Sequence, residues 1–121
     1  MENAPAKSPL LTVVVPVFNE EESLPNLLET LVPHCARHGH QLILIDDGST
    51  DRSGAILDQA CKEPSVRVIH HKVNRGYGGA IKTGIKDVET PYLITVDADG
   101  QHPIEDIESV LKMVRETGAD L

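Results

Sequence analysis

The sequence predicts an α/β fold: an open parallel sheet with helices on both faces, built from about four βα units. Four short apolar runs rich in β-branched residues recur at roughly even intervals along the 121-residue chain, and helical patterns separate them. Three of the runs are nearly continuous rather than alternating, which is typical of parallel strands covered on both faces. The length suits one domain, and the alternation implies right-handed crossovers between strands.

The predicted strands are the four apolar runs themselves. They cover residues 11–17, 42–45, 66–69 and 92–96. Their length favours strands over helices, and β-branched residues dominate them. Residues 119–121 look like the lead-in to a fifth strand.

A helix is predicted after each strand. The first carries leucines at i, i+3, i+4 and i+7 from Leu24, with Ser23 as its N-cap. The second covers residues 51–62, and the third starts after Gly78. The fourth has Pro103 in its first turn, with acidic residues early and basic residues late, which matches the helix dipole.

The composition excludes several classes of protein. Eleven basic and nineteen acidic residues give a formal net charge of −8, which disfavours a nucleic-acid partner. Three aromatic residues are too few for a surface that stacks single-stranded bases. Cys35 and Cys61 predict buried, inert thiols rather than a disulfide framework. No signal peptide or membrane span is predicted, so the chain is expected to be cytoplasmic.

Acidic residues crowd the segments that follow the strands, where ligands bind in open α/β sheets. Three of these four segments hold eight of the nineteen acidic residues. In Asp97-Ala98-Asp99 the two carboxylates stand two residues apart after a strand, so both can face one ion. Oxygen ligands of this kind suit Mg²⁺ or Mn²⁺. The alternative is an acidic loop that caps the next helix.

Two further segments reach the same edge of the sheet. Asp46 and Asp47 end the second strand, where a carboxylate can accept from a base or a ribose hydroxyl, or where the segment can cap the next helix. Residues 74–79 are glycine-rich and lead into the third helix. Their backbone N–H groups can approach an anion, with Arg75 or Lys72 supplying charge, or they form a closely packed turn. Glycine spacing excludes the P-loop and G-x-G-x-x-G.

His34 and His38 lie four residues apart with Cys35 between them, a pattern that raises the question of a zinc site. The two histidines lie off the leucine stripe, near the C-terminus of the first helix. Histidines interact favourably with the helix dipole there. The dipole is therefore the preferred explanation, and no zinc site is predicted.

Four motifs lie in order at the predicted strand ends. They are residues 15–21 (VPVFNEE), 45–51 (IDDGSTD), 74–80 (NRGYGGA) and 97–103 (DADGQHP). Together they resemble family 2 glycosyltransferases of the GT-A fold, with most similarity to polyprenyl- and dolichyl-phosphate sugar synthases. The resemblance implies a Rossmann-like nucleotide-sugar-binding domain over residues 10–121, after a flexible tail over residues 1–9. It also implies that the chain stops before the acceptor half.

The resemblance implies that the residues of this sequence at the family's nucleotide-sugar-binding positions form the same kind of site. These are Pro16, Phe18, Glu20, Asp46, Asp47, Arg75, Gly76, Asp97, Ala98, Asp99 and Gln101. Asp97 and Asp99 match the family's metal-binding D-x-D motif, and Asp47 matches the aspartate that contacts the base or ribose. Phe18 departs from the usual tyrosine, which keeps ring packing and loses a hydroxyl contact. The family's acceptor-side base has no counterpart here, so no catalytic residue is assigned.

The implied activity is that of a hexosyltransferase-type enzyme that transfers sugar with inversion from a UDP- or GDP-sugar. Mg²⁺ or Mn²⁺ would neutralise the charge that develops on the leaving nucleoside diphosphate. The implied acceptor is a polyprenyl phosphate at a membrane surface, and full-length relatives are expected to be peripheral to the cytoplasmic membrane. The chain alone is expected to bind the donor and to transfer sugar poorly.

Other functions stay open on the residues alone. An inactive donor-binding or association module would form a homo-oligomer through the edge where the acceptor half should pack. A phosphoacceptor receiver domain would carry its acidic pair after the first strand. A sugar-nucleotide pyrophosphorylase would carry a glycine-rich loop there, and residues 16–22 contain no glycine.

Overall fold

The computed structural model describes residues 9–99 and 104–117. Strands and helices alternate along them. They are β1 (Leu11–Val17), α1 (Leu24–His38), β2 (Gln41–Asp46), α2 (Ser53–Ala60), β3 (Val66–His70), α3 (Gly76–Asp87), β4 (Tyr92–Thr95) and α4 (Asp106–Thr117). The strands are all parallel and lie in the order β3-β2-β1-β4. The predicted open α/β sheet with four βα units is confirmed.

β1 lies at the centre of the sheet, and all seven of its residues are buried. β2 pairs along its whole length with β1, whereas β4 pairs only with Leu11–Val14. The carbonyl oxygen of Val14 accepts a hydrogen bond from the Val96 N–H. Backbone groups two residues apart in a strand point to the same neighbouring strand, so position 16, like Val14, faces β4. Proline has no N–H, but the pairing of β4 with β1 already ends at Val14, so no partner on β4 is left waiting for a bond from position 16. Pro16 therefore removes no bond from the sheet, and β1 and β4 separate at this point.

Side chains of β1 alternate between two apolar layers, as a period of two requires. The layer shared with α1, α2 and α4 includes the buried residues Val13, Val15, Leu31, Leu44, Leu57 and Leu111. The layer shared with α3 consists of Val14, Ile43, Ile45 and Ala80. Helices therefore cover both faces, as the continuous apolar runs predict.

Several element ends differ from the prediction. α2 begins at Ser53 because the Asp51 carboxylate accepts the Ser53 N–H at 2.8 Å, which leaves residues 51 and 52 outside the helix. α3 begins at Gly76, before Gly78, because Asn74 accepts the Gly76 N–H at 3.1 Å and turns the chain into the helix there. Ser23 holds the N-cap position of α1, but its hydroxyl makes no cap bond.

The two cysteines have different environments. Cys35 is buried, as predicted, and its burial raises the pKa of the thiol to about 12, so the thiol stays protonated. Cys61 is exposed, and the prediction of a buried thiol is wrong there, since this residue follows the last turn of α2 on the surface.

Some predicted features lie outside the described residues. They are the amino-terminal tail apart from Pro9, the helix start at Pro103 and the strand lead-in over residues 119–121. Within residues 9–99 and 104–117, no helix has the length and apolar character needed to cross a membrane.

Candidate functional site

A groove of about 550 Å³ opens at the carboxyl ends of β1 and β4. The strand order reverses between these two strands, because β1 leads through α1 to β2 whereas β3 leads through α3 back to β4. Ligands of open α/β sheets bind at such a switch point. The groove is lined by Pro16, Val17, Phe18, Glu20, Asp47, Asn74, Gly76, Tyr77, Ala80, Asp97, Ala98 and Asp99.

Hydrogen bonds hold the loop after β1 against the loop after β2. Asn19 has a positive φ of 52°, and its side-chain oxygen accepts the Thr50 N–H at 2.8 Å. The Asn19 N–H donates to the Ser49 hydroxyl at 3.0 Å. The Glu20 N–H donates to the hydroxyl of Ser53, a fully buried residue, at 2.9 Å. These contacts set the direction in which the chain leaves β1 and place Glu20 at the groove.

Ser23 connects the β1 loop to the segment that follows β4. Its hydroxyl donates to the Ala98 carbonyl oxygen at 2.7 Å and lies 3.0 Å from a Glu20 carboxylate oxygen. The N–H groups of Ser23 and Leu24 both lie within hydrogen-bond distance of the Glu20 carbonyl oxygen, at 3.1 and 2.9 Å. The start of α1 therefore fixes two lining residues, Glu20 and Ala98, relative to each other.

Asp47 is a buried carboxylate whose contacts order the start of α3. Its Oδ1 accepts the Arg75 N–H at 2.8 Å and lies 2.8 Å from Nδ1 of His71, which carries the proton if the carboxylate is ionised. The side chains of His71 and Asp47 are only 3% and 4% exposed. Nε2 of His71 lies 2.8 Å from the Thr83 hydroxyl on α3. His71 therefore connects β3, Asp47 and α3 behind the groove.

Asn74 and Asp47 use the first amides of the glycine-rich segment. The Asn74 side chain accepts the Gly76 N–H at 3.1 Å and donates to the Asp47 carbonyl oxygen at 3.1 Å. The N–H groups of Arg75 and Gly76 were both predicted to be able to approach an anion. In the structure they donate instead to Asp47 and Asn74. This segment shapes the wall of the groove through Asn74, Gly76 and Tyr77.

Asp46 makes its contacts away from the groove. Its Oδ2 lies 2.8 Å from Nδ1 of His70, and its Oδ1 accepts the Ser49 N–H at 2.9 Å. Nε2 of His70 lies 2.7 Å from Asp58 on α2. Adjacent residues of a strand point to opposite faces, which separates Asp46 and His70 from Asp47 and His71. The structure therefore brings only Asp47 of this pair to the groove.

His70 makes the stability of the fold depend on pH. Hydrogen bonds to Asp46 and then Asp58 raise the pKa of His70 above its ordinary 6.5. A raised pKa in the folded state adds stability below the ordinary value, and that stability is lost as pH rises through the raised value. The advantage of the native chain over His70→Gln should therefore be larger at about pH 5.5 than at about pH 8.5.

The difference should stay below about 1 kcal/mol, because the His70 side chain is 42% exposed and solvent screens its ion pairs. Urea denaturation of both chains at the two pH values measures it. An equal advantage at both values would show that the histidine does not titrate in this range.

Asp97 and Asp99 follow β4 and both line the groove, with the buried Ala98 between them. The Tyr77 hydroxyl donates to Oδ1 of Asp97 at 3.2 Å. Desolvation and then the charge of Asp97 raise the pKa of Tyr77, so the phenol remains a donor at neutral pH. Tyr77 thereby connects the first turn of α3 to the predicted metal-binding motif.

The donor set of the groove fits a divalent cation. Glu20, Asp47, Asp97 and Asp99 supply four carboxylates, and no lysine, arginine or histidine stands among the described residues that line it. A diphosphate would meet only like charge there unless a cation came with it. Carboxylate oxygens that leave room for water and phosphate ligands suit Mg²⁺ or Mn²⁺.

Most of the positions expected from the sequence meet in this groove. Eight of the eleven line it: Pro16, Phe18, Glu20, Asp47, Gly76, Asp97, Ala98 and Asp99. Asp46 and Arg75 are not among its lining residues, and Gln101 lies outside the described residues. The residues that sequence reasoning missed are Val17, Asn74, Tyr77 and Ala80, and their position inside two of the four motifs was the available signal.

A comparison with protein families decides what the chain is related to. The model of "Glycosyl transferase family 2" matches residues 12–121. The chain belongs to glycosyltransferase family 2. The family expected from the four motifs is therefore confirmed.

Curated relatives within this family include undecaprenyl-phosphate 4-deoxy-4-formamido-L-arabinose transferases. The enzyme from Photorhabdus laumondii is 44% identical over 115 residues, which cover 92% of this chain and 35% of the relative. The enzyme from Serratia proteamaculans is 42% identical over 110 residues, which cover 88% of this chain and 34% of the relative. The chain thus spans about a third of the length of the curated relatives it matches. Their names agree with the polyprenyl-phosphate resemblance of the motifs.

Several solved structures share the fold. Staphylococcus aureus TarS 1-349 in complex with UDP-GlcNAc matches with a TM-score of 0.75 and 23% identity, covering 88% of this chain and 31% of that one. The mannosyltransferase PcManGT from Pyrobaculum calidifontis, in complex with GDP-Man and Mn²⁺, matches with a TM-score of 0.70 and 21% identity. The match covers 90% of this chain and 33% of that one. At these identities the likeness establishes the GT-A type of fold.

Proposed function

We propose that the groove is the donor site of a glycosyltransferase and binds a UDP- or GDP-sugar together with Mg²⁺ or Mn²⁺. One observation carries the proposal: Asp97 and Asp99 share the switch-point groove with Asp47. Membership of glycosyltransferase family 2 supports it. The nucleotide sugars in the TarS and PcManGT structures are of the class proposed here.

Each lining residue has a role that its position allows. Asp47 lies at the end of β2 on a fixed hydrogen-bond network, where a carboxylate accepts from a base N–H or a ribose hydroxyl. Pro16, Phe18 and Glu20 border the nucleotide on the β1 side. Gly76 and its neighbours form the wall beside the diphosphate. Residues 10–121 constitute the proposed donor-binding domain.

Asp97 and Asp99 would hold the cation beside the diphosphate. When bound, the cation neutralises the charge that develops on the leaving nucleoside diphosphate. The bond that breaks joins the anomeric carbon to a diphosphate oxygen, and the bond that forms joins that carbon to an acceptor oxygen on the opposite face. A polyprenyl phosphate, the acceptor class named by the curated relatives, is already an anionic nucleophile and needs little base assistance.

Calorimetric titration of UDP and GDP into the chain, with and without Mn²⁺, tests the donor site. We expect one of the two nucleotides to bind only when Mn²⁺ is present, because the groove otherwise presents carboxylates to the diphosphate. Asp99→Asn should weaken this binding by more than about tenfold, since it removes one charge from the cation site.

Asp106→Asn provides the matched control for the titration. Asp106 is exposed in the first turn of α4 and does not line the groove. This change should leave the nucleotide affinity within about twofold. Circular dichroism of each chain separates loss of binding from loss of fold. A folded native chain that binds neither nucleotide would overturn the proposal.

A further inference from the structure

Three histidines converge on one glutamate at the end of the molecule opposite the groove. His34 and His38 lie on the last two turns of α1, and His40 directly precedes β2. The donor groove lies where strands end, whereas His40 lies where one begins. Glu108 in the first turn of α4 reaches them from a helix about 70 residues further along the chain. We call these four residues the histidine cluster.

The distances within the histidine cluster are short. Nε2 of His34 and Nε2 of His40 lie 3.0 and 2.6 Å from the same Glu108 oxygen, Oε2. Nδ1 of His38 lies 3.5 Å from the other oxygen, Oε1. One ligand atom each from His34, His40 and Glu108 lies within 4.8 Å of the others. The αL turn at Gly39, with φ of 71°, returns the chain so that His40 faces the helix end.

Burial makes this arrangement more than a surface contact. The side chains of His34 and His40 are 9% and 4% exposed, so two imidazoles are buried against the same carboxylate oxygen of Glu108. Desolvation opposes the charge of Glu108, but hydrogen bonds from His40 and His34 lower its pKa below the ordinary value. The carboxylate is therefore ionised, and both Nε2 atoms must carry protons to donate to it. One cation bound between His34, His40 and Glu108 would take the place of both Nε2 protons.

We propose that His34, His40 and Glu108 bind a transition-metal ion of the Zn²⁺ class, with His38 as a fourth ligand. Two or three imidazoles with one carboxylate are a donor set that Zn²⁺ accepts in tetrahedral geometry. Metal–ligand bonds of about 2.0–2.2 Å separate tetrahedral ligands by about 3.4 Å. The present separations from Glu108 Oε2 differ from that value by less than about 1 Å, which side-chain rotation supplies.

Ligand chemistry separates this site from the donor groove. Imidazole nitrogens favour Zn²⁺, Ni²⁺ or Cu²⁺, whereas the carboxylates of Asp97 and Asp99 favour Mg²⁺ or Mn²⁺. An ion can reach the cluster, because His34 and Glu108 both line an open cavity of about 520 Å³ between α1 and the start of α4. The bound ion would join α1, the residue before β2 and α4, and so would act as a structural link.

Thermal denaturation of the untagged, chelator-treated chain tests the proposal, with excess Mg²⁺ present to occupy the carboxylate site. Stoichiometric Zn²⁺ should raise Tm in the native chain, because the ion binds the folded state and not the dispersed ligands. His40→Gln should weaken Zn²⁺ binding by more than about tenfold. His70→Gln, which removes a histidine outside the cluster and outside the groove, should keep the native response.

Co²⁺ substitution in the native chain keeps the test independent of how any variant folds. Tetrahedral Co²⁺ with nitrogen ligands absorbs visible light far more strongly than octahedral, oxygen-bound Co²⁺. One equivalent should produce that absorption, and Zn²⁺ should abolish it. No tetrahedral spectrum, or an equal Zn²⁺ response in His40→Gln and the native chain, would overturn the site and leave a hydrogen-bonded cluster. Neither result affects the nucleotide titration, which uses other residues.

Discussion

Gly48→Ala should destabilise the chain by about 3–5 kcal/mol, more than an ordinary surface substitution. Gly48 has φ of +73°, a conformation that L side chains rarely adopt. An added Cβ would lie 2.5 Å from the backbone nitrogen of Asn74 and 2.8 Å from the carbonyl carbon of Val73. Neither atom can rotate away, so the loop after β2 and the start of α3 would have to separate. Urea denaturation measures the loss.

Gly39→Ala is the control that measures the cost of the left-handed backbone without the steric contact that an added Cβ makes at Gly48. Gly39 has nearly the same φ, +71°, but no atom lies within 4 Å of an added Cβ. It should cost only about 1 kcal/mol, the ordinary penalty of a left-handed residue. Measurements in chelator remove any metal bound by the neighbouring histidines. Equal losses in the two variants would show that the close approach to Asn74 is not what Gly48 provides.

The fold was predictable because its determinants are local in the sequence. Runs such as residues 11–17 carry the pattern of strands buried on both faces, and the spacing from Leu24 carries that of a helix. The element ends were less predictable, since they depend on side chains of other loops. Asp51, for example, makes α2 begin two residues later than predicted, at Ser53, by accepting the Ser53 N–H.

The groove was predictable in outline because parallel strands bring their carboxyl ends to one edge. The separation of Asp46 from Asp47 also follows from strand alternation, which sequence reasoning did not apply to that pair. Contacts between distant segments were out of reach. The pattern of His34 and His38 was noted, but nothing local indicates that Glu108 lies beside them. The preferred helix-dipole explanation therefore omitted the partner that brings these histidines together.

Asp47→Ala should cost about 2–4 kcal/mol of folding free energy, because it removes the oxygen acceptor that His71 and the Arg75 N–H share. The Asp47 carboxylate accepts both the Arg75 N–H and the His71 ring proton inside the protein. Alanine would leave the buried His71 ring and the partly buried Arg75 N–H without that acceptor, and an unsatisfied buried group costs about 1–3 kcal/mol.

Asp47→Asn provides the comparison that separates charge from hydrogen bonding. The amide oxygen of asparagine can replace Oδ1 and keep both donors paired, so this variant should lose only about 1–2 kcal/mol. Nucleotide binding should fall more than about tenfold in both variants if the carboxylate contacts the base or ribose. If Asp47→Ala proved as stable as Asp47→Asn, the donors would have found other acceptors. The network would then not be what holds α3 against the end of β2.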